Sequence, residues 1–326
     1  MKKNMLNFDP SLAKKTMLIA IVLLMFAVSA FAQENNSGAA YIRMGIGARI
    51  LAMGNAGTAT SKDITSAYWN PAGLYNMKDI EYSSMYNMNM GHDRSYKYAA
   101  IGKRYSFGSL ALNWVNAGVG DVEGTDNFNQ PTGFFGYSEH NIALSYANAY
   151  HKVQYGITPK LYLSSMDGET KSGFGLDLGL KYDVNQYLVA GLMARDIYGK
   201  VDDDKVPYQM SLGITAYPFI GITLAGDLIM EEKEDPTYAV GAEYWTSIGK
   251  DPEADSKLSV LNVSEKNTWQ EVFGSAQTGI RVGFTDGKFS VGSGLKLKNL
   301  QLDYAFRINN HEIFNDDHII SLTMRF

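Results

Sequence analysis

The sequence predicts an all-β fold: an antiparallel transmembrane β-barrel of about fourteen strands whose lumen is plugged by an N-terminal segment. Three observations predict it. Segments of roughly ten residues alternate apolar and polar side chains along most of the chain. An export address opens the sequence, and the last strand ends on an aromatic residue. Composition agrees, because hydrophobic residues make up 45% while mean hydropathy is only −0.18, and Tyr (21) and Gly (32) outnumber Pro (8). Aromatics and glycines spread through alternating segments suit strands better than helices.

Residues 1–32 read as a signal peptide. Lys14 and Lys15 precede an apolar run from Met17 to about Ala27, and Ala30-Phe31-Ala32 supplies small residues at −3 and −1, so Gln33 begins the mature chain. The run is short of the roughly 20 apolar residues that span a bilayer, which argues against an uncleaved anchor.

Strand-like runs then fall near 81–90, 94–104, 107–116, 138–149, 152–166, 172–184, 187–196, 208–217, 220–230, 237–247, 276–285, 288–297, 300–308 and 317–326. In the run 300–308, Leu300, Leu302, Tyr304, Phe306 and Ile308 alternate with Gln301, Asp303, Ala305 and Arg307. That is the period of two of a strand with one apolar face. Asp286-Gly287 is a type I′ hairpin signature pairing Thr285 with Lys288, and Lys298-Asn299 sets Leu297 opposite Leu300. The connections Arg104–Phe107, Tyr150–Lys152, Asp183–Tyr187 and Pro218–Phe219 are tight. Asn116–Tyr137, Ile197–Pro207 and Met230–Pro236 are longer, as expected when one barrel end carries turns and the other loops. A soluble β-sandwich would show no such bias.

Two stretches fit less well. Pro159 lacks the N–H a ladder needs, so a bulge or two shorter strands are expected within 153–166. Residues 249–274 form a long polar connection where a short turn is due, read as a periplasmic insertion or a miscount.

A cation facing lipid at the midplane costs roughly 2–4 kcal/mol, so Arg281, Lys296, Arg307 and Arg325 belong in the lumen, where parity puts them. Asp177, Asp227, Glu243 and Asp303 share that side. Either these charges pair into a network that fills the lumen, or they line a water-filled channel. In the tail, His318, Ile320, Leu322, Met324 and Phe326 form one face; the last three form the expected signal to the barrel insertion machinery.

The segment 33–80 precedes the barrel (81–326). Its run from Arg43 to Leu74 is too apolar to stay solvated, and the lumen is the available place to bury it. A short helix capped by Ser61 or Asp63 is expected, ending before Asn70-Pro71.

The residues Gly47-Ala48-Arg49, Met53-Gly54-Asn55-Ala56 and Ala67-Tyr68-Trp69-Asn70-Pro71-Ala72-Gly73-Leu74, with the tail GLKLKNLQLDYAF and HIISLTMRF, resemble the PorV/PorQ family of Bacteroidota-type outer-membrane proteins. The Asn-Pro-Ala-Gly-Leu core is similar to that of the wider FadL group of fatty-acid transporters. The resemblance implies a FadL-like fourteen-stranded barrel with a hatch made by its N-terminal segment, and the stretch 249–274 departs from it. It further implies a non-enzymatic component of type IX secretion, whose partners would be outer-membrane lipid, the translocon and the C-terminal domains of secreted cargo. The loop 116–137, with Asp121, Glu123, Asp126, Phe128, Phe134 and Phe135, is then the expected partner-binding loop; the ordinary alternative is a solvated barrel loop.

The rival reading is a FadL-like transporter of hydrophobic small molecules, with Met44, Met53, Tyr68 and Trp69 lining a pocket and a lateral opening in the wall. Plain plug packing is the ordinary explanation of those four. An enzyme is the weakest reading, since no G-x-S-x-G elbow is present and His92, His140, His151, His311 and His318 lack metal-ligand spacing. No cofactor or metal is expected. Zero Cys excludes thiolate chemistry, and a net charge of −5 with no basic cluster in the mature chain argues against nucleic acid. Intact-mass measurement of protein purified from outer membranes should place the N-terminus at Gln33; a mass retaining residues 1–32 contradicts the cleavage assignment.

Overall fold

The structure, a computed structural model, describes residues 39–88, 90–91, 93–126, 128, 130–248, 276–309 and 315–326. The signal peptide and the whole stretch 249–274 lie outside the described residues. The wall is built from β1 (Ile80–Met88), β2 (Arg94–Tyr105), β3 (Gly108–Thr125), β4 (Pro131–Tyr150), β5 (Val153–Met166), β6 (Glu169–Asn185) and β7 (Leu188–Val201). It continues through the two-residue β8 (Asp204–Lys205), then β9 (Gln209–Ala216), β10 (Ile222–Glu231), β11 (Thr237–Ser247), β12 (Gln277–Thr285), β13 (Lys288–Leu297), β14 (Leu300–Arg307) and β15 (Asp317–Arg325). Apart from β8, which pairs with β7 alone, the strands form one antiparallel ring of fourteen, closed by β1 on β15 and by β7 on both β6 and β9. Closure leaves no sheet edge unpaired, the requirement for a wall in lipid. We call the end that holds Ile80 and Phe326 the base and the opposite end the top.

The alternation reads directly onto the wall. Ile101, Leu112, Leu144, Phe174, Ile214, Ile280 and Phe289 stand exposed on the exterior, whereas Asp177, Asp227, Glu243, Arg281 and Asp303 are buried inside. The tail places Leu322, Met324 and Phe326 outward, with Ser321 and Thr323 buried. Thr285 pairs with Lys288 and Leu297 with Leu300, and both Asp286 and Gly287 have positive φ, as a type I′ turn requires.

Several expectations are corrected. The stretch 116–137 is not a loop: β3 runs to Thr125 and β4 starts at Pro131, pairing past a bulge between Val119 and Val122. Asp121 and Glu123 therefore lie on β3, and Phe134 and Phe135 on β4. Likewise 197–207 is mostly strand, because β7 continues to Val201 and meets β8. Pro159 neither bulges nor splits β5. The ladder to β4 simply lapses between the pairs Ala143–Lys160 and Tyr146–Ile157 with register unchanged, because β6 holds the other edge of Pro159 through Leu176. The helix does not begin at Ser61. It is a single turn, Ser66–Trp69, because the Asp63 carboxylate accepts from both the amide (3.0 Å) and the hydroxyl (2.5 Å) of Thr65 and folds the chain into a turn first.

The hatch, residues 39–79, runs inside the ring. Two short helices, α1 (Ala48–Leu51) and α2 (Ser66–Trp69), and two 3₁₀ turns, Ala40–Met44 and Pro71–Asn76, carry it. Ile46, Ala48, Ala52, Met53, Ala56, Ile64 and Leu74 are fully buried or nearly so. The wall admits this backbone where its inward side chain is hydrogen. A Cβ on Gly283 would lie 2.0 Å from the amide nitrogen of Gly54, and one on Gly241 would lie 2.3 Å from the Met53 carbonyl oxygen. Gly283→Val should therefore release the hatch from the wall, whereas Gly226→Ala, whose Cβ meets nothing nearer than 3.9 Å, should be silent. Trypsin cleavage at Arg43 and Arg49 in the folded, detergent-solubilised protein measures the difference.

Candidate functional site

Local chemistry shapes the hatch before the wall holds it. Pro71 cannot donate, and Asn70, in extended conformation, turns its side-chain oxygen to the amide of Ala72 (3.2 Å), capping the following 3₁₀ turn. The Asn70 amide then donates to the carbonyl of Thr58 (2.8 Å) and to the wall carbonyls of Leu180 (3.2 Å) and Leu192 (3.3 Å). The Asn-Pro-Ala-Gly-Leu motif is thus a bracket tying the plug to β6 and β7. Gly73 completes it, since a Cβ there would meet Ser61 O at 2.5 Å. Leu74 is buried beneath.

Tyr68 and Trp69 fasten the hatch to itself. The rings meet edge to face at 5.1 Å; Trp69 Nε1 donates to the Ile46 carbonyl (3.0 Å), and the Tyr68 hydroxyl donates to that of Ile42. The indole packs so closely on Gly45 and Gly57 that neither could carry a Cβ without displacing it. Gly47 takes φ +76 ahead of α1, and its amide points to the Met85 sulfur. Met53 packs with Ala56, Ala225 and Ala239. The apolar and glycine residues of the hatch motif are therefore plug packing, while Arg43 and Arg49 reach out to the wall. Of the four expected pocket-lining residues, Tyr68 borders a cavity, while Met53 and Trp69 are packed solid and Met44 is half-buried.

Charge fixes the two ends of the plug. Toward the top, Arg43 binds Asp196 (3.0 Å) and Glu231 (2.8 Å) and donates to the Pro207 carbonyl. Asp196 also receives Lys160 (2.5 Å) and the Tyr162 hydroxyl (2.5 Å), and Lys160 reaches Asp177 (2.6 Å). Arg195 lies over the Tyr68 ring at 4.5 Å and donates to its carbonyl (2.9 Å). Toward the base, Glu243 accepts from Arg49 (2.7 Å) and Arg281 (2.7 Å), Arg281 also reaches Asp303 (2.8 Å), and Arg325 spans Asp63 (3.2 Å) and Glu81 (3.5 Å). The lumen carries a paired network rather than a water-filled bore.

Sequence reasoning missed Lys160, Tyr162, Arg195, Asp196 and Glu231. One signal was present: Arg195 and Asp196 are adjacent charges in a strand, and period two cannot turn both inward. A bulge does so. Leu176 pairs with Tyr198 but Leu178 with Ala194, so β7 carries extra residues there, and Asp196 takes φ +52.

Behind the lapse at Pro159 lies a cavity of about 10 Å³, bordered by Ala67, Tyr68, Ala143, Thr158, Lys160 and Arg195 among others. A far larger vestibule opens at the base. The expected partner-binding residues lie away from both, at the tip of the β3–β4 hairpin. There the Asp126 carboxylate accepts from the amides of Phe128 (2.8 Å) and Gln130 (2.9 Å), and Phe128 (83%) and Phe134 (72%) are the most exposed of its aromatics. Among the described residues no group of side chains has the arrangement of a metal site.

This architecture, a closed fourteen-strand ring around an N-terminal hatch, can be compared with known proteins. No family model matches the chain, and no curated protein is similar to it. Among solved structures, the Pseudomonas putida toluene transporter TodX is similar with TM-score 0.59 at 11% identity, over 86% of this chain and 98% of that one. The Ralstonia pickettii toluene transporter TbuX gives 0.58 at 13%, also over 86% and 98%, and the monoaromatic hydrocarbon channel CymD 0.56 at 12%, over 87% and 98%. The fold is FadL-like. At such identities a FadL-like barrel shares its architecture with these channels, and the residues of its hatch have to be judged on their own contacts.

Removing one partner of a buried ion pair typically costs about 3–5 kcal/mol, because the other charge is left stranded. Glu243→Ala strands Arg49 and leaves Arg281 with Asp303 alone, and should sharply lower the temperature at which the folded band is lost on a semi-native gel. Lys171→Ala, which removes a half-exposed pair with Asp202 at 3.4 Å, should shift it little.

Proposed function

We propose that this chain is a non-enzymatic outer-membrane transporter of hydrophobic small molecules. The observation that carries the reading is the plugged FadL-like ring with a flaw in its wall at Pro159, beside the hatch. An axial path is closed by the buried hatch, so a solute entering from the top must leave sideways. The lapse between β4 and β5 is the place for it. Pro159 offers no N–H to Leu144, Leu144 stands on the exterior, and Ala143, Thr158 and Lys160 border the cavity on the inner side. An opening there exposes few unpaired backbone groups beyond those already lost, which is the cost that elsewhere forbids a gap in lipid. Similarity to toluene and monoaromatic hydrocarbon channels supports the same reading at the level of fold.

The secretion reading keeps two observations on its side. The motif residues Met53, Trp69 and Leu74 serve as plug packing rather than as a ligand lining, and the β3–β4 hairpin projects aromatic side chains and carboxylates beyond the wall. It rests otherwise on the sequence resemblance to PorV/PorQ proteins.

Uptake of radiolabelled toluene and of a long-chain hydrocarbon by cells with and without the protein tests the proposal. Uptake should fall on deletion, and Pro159→Val, which restores the missing N–H and a strand-favouring side chain, should reduce it several-fold with the barrel still folded. Unchanged uptake on deletion, together with lost surface delivery of secreted proteins, would transfer the function to the secretion reading.

A further inference from the structure

At the base, the barrel does not end flush with the hatch. A vestibule of about 1650 Å³ lies beneath it, bordered by hatch residues, by strand ends and by the turns at 186–187, 217–221 and 298–299. Its charges are unevenly matched. The acidic side chains on its wall, Asp63, Glu81 and Glu243, are all engaged by Arg49, Arg281 and Arg325. Lys62, Lys78, Lys296 and Lys298 also border it, and among the described residues none has a carboxylate within ion-pair distance.

Two of these lysines are held in place without being neutralised. Lys62 Nζ lies 5.2 Å from the centroid of the Tyr217 ring, and Lys296 Nζ lies 3.8 Å from that of Trp245, which Arg281 approaches at 4.9 Å. A ring face attracts an ammonium through its quadrupole without supplying a counter-charge, so the ammonium can still meet an anion. Low-dielectric walls around a cleft with an excess of one sign focus its field outward. The hatch and the barrel wall each contribute, so the site exists only in the assembled molecule.

We infer that this vestibule is a docking site for an acidic peptide segment of a protein on the base side of the membrane. Size argues for a segment over a small anion, because small-molecule sites occupy about 300–1,000 Å³ and converge their donors on one point. Here the cations are distributed: Lys62 and Lys78 on the hatch, Lys296 at the end of β13, and Lys298 in the exposed turn to β14. Ammoniums on separate elements, two of them beside Tyr217 and Trp245, suit carboxylates spaced along an extended chain. The inference is independent of what crosses the wall at Pro159.

Fluorescence anisotropy on the detergent-solubilised full chain tests it, with a labelled peptide alternating Glu and Gly and an analogue in which Gln replaces every Glu. The acidic peptide should bind and the Gln analogue should not. Raising salt should weaken the complex, since exposed charges are screened within about 10 Å at 0.1 M ionic strength. Lys62→Glu with Lys298→Glu should weaken it at least roughly tenfold, Lys298→Gln alone should weaken it less, and Lys171→Glu at the top should leave it unchanged. A semi-native gel confirms that each variant is folded, and the single turn substitution keeps the test open if the double one is not. Equal binding of the Gln analogue, no effect of the base substitutions in folded protein, an equal effect of Lys171→Glu, or displacement by free glutamate at matched carboxylate concentration would each overturn the proposal.

Discussion

The architecture depends on one steric constraint: the backbone of the hatch passes closer to the backbone of the wall than any side chain allows. At Gly241 and Gly283 the approach is to Met53 and Gly54; at Gly179 a Cβ would meet the Asn70 side chain at 2.1 Å, and at Gly156 it would meet Pro71 at 2.5 Å. These glycines stand at inward positions of β11, β12, β6 and β5, so the track they make winds around the ring. Glycine weakens a strand by its entropy and its lack of packing surface. That loss is tolerable in a ring whose ladders are closed on every side, and it is offset by burying an apolar segment of some forty residues that could not otherwise stay in water. The glycines at these positions are thus the imprint of the plug on the wall.

Close approach gives contact without direction; the charges supply direction. Arg43 is addressed to β7 and β10, Arg49 to β11, and Asp63 to β15, so each reach of the hatch is pinned to a different arc of the ring. Buried ion pairs are weak sources of net stability, because desolvation consumes most of the attraction, but they penalise mismatched partners heavily. Here the penalty serves register. A hatch slipped by one turn would take Arg49 from Glu243 and Asp63 from Arg325, and the apolar contacts of Ile46 or Leu51 would do little to prevent it.

Legibility in the sequence followed the solvent. Where one strand face meets lipid and the other the lumen, alternation is enforced, and β12 to β15 come out within a residue of the expected bounds. Parity likewise sends Arg281, Glu243 and Asp303 inward without help from the structure. Above the membrane both faces meet water, nothing enforces alternation, and the extensions of β3, β4 and β7 therefore read as loops. Asp121, Glu123, Phe134 and Phe135 read as loop residues for that reason. The bracket Asn70-Pro71 was legible as turn chemistry, whereas its wall partners are main-chain carbonyls of Leu180 and Leu192, which no side-chain pattern reports. The Arg195-Asp196 pair could have been read as a bulge, since adjacent inward charges contradict period two.

Net charge was the least informative number, because it averages two unlike ends. At the top, Asp202, Asp203 and Asp204 follow β7, and Glu231, Glu232, Glu234 and Asp235 close the β10–β11 connection, against Lys200, Lys205 and Lys233. Among the described residues that border the base vestibule, lysines outnumber the carboxylates left free to oppose them. A neutral hydrocarbon feels neither end, since without charge it gains nothing from a field of either sign. A polarised barrel is therefore not explained by the passage of an apolar solute. If the base vestibule takes an acidic segment, the polarity at that end belongs to the partner rather than to the solute. The two rims differ as they would if the molecule faced one class of partner on either side of the membrane while its plugged centre dealt with a third.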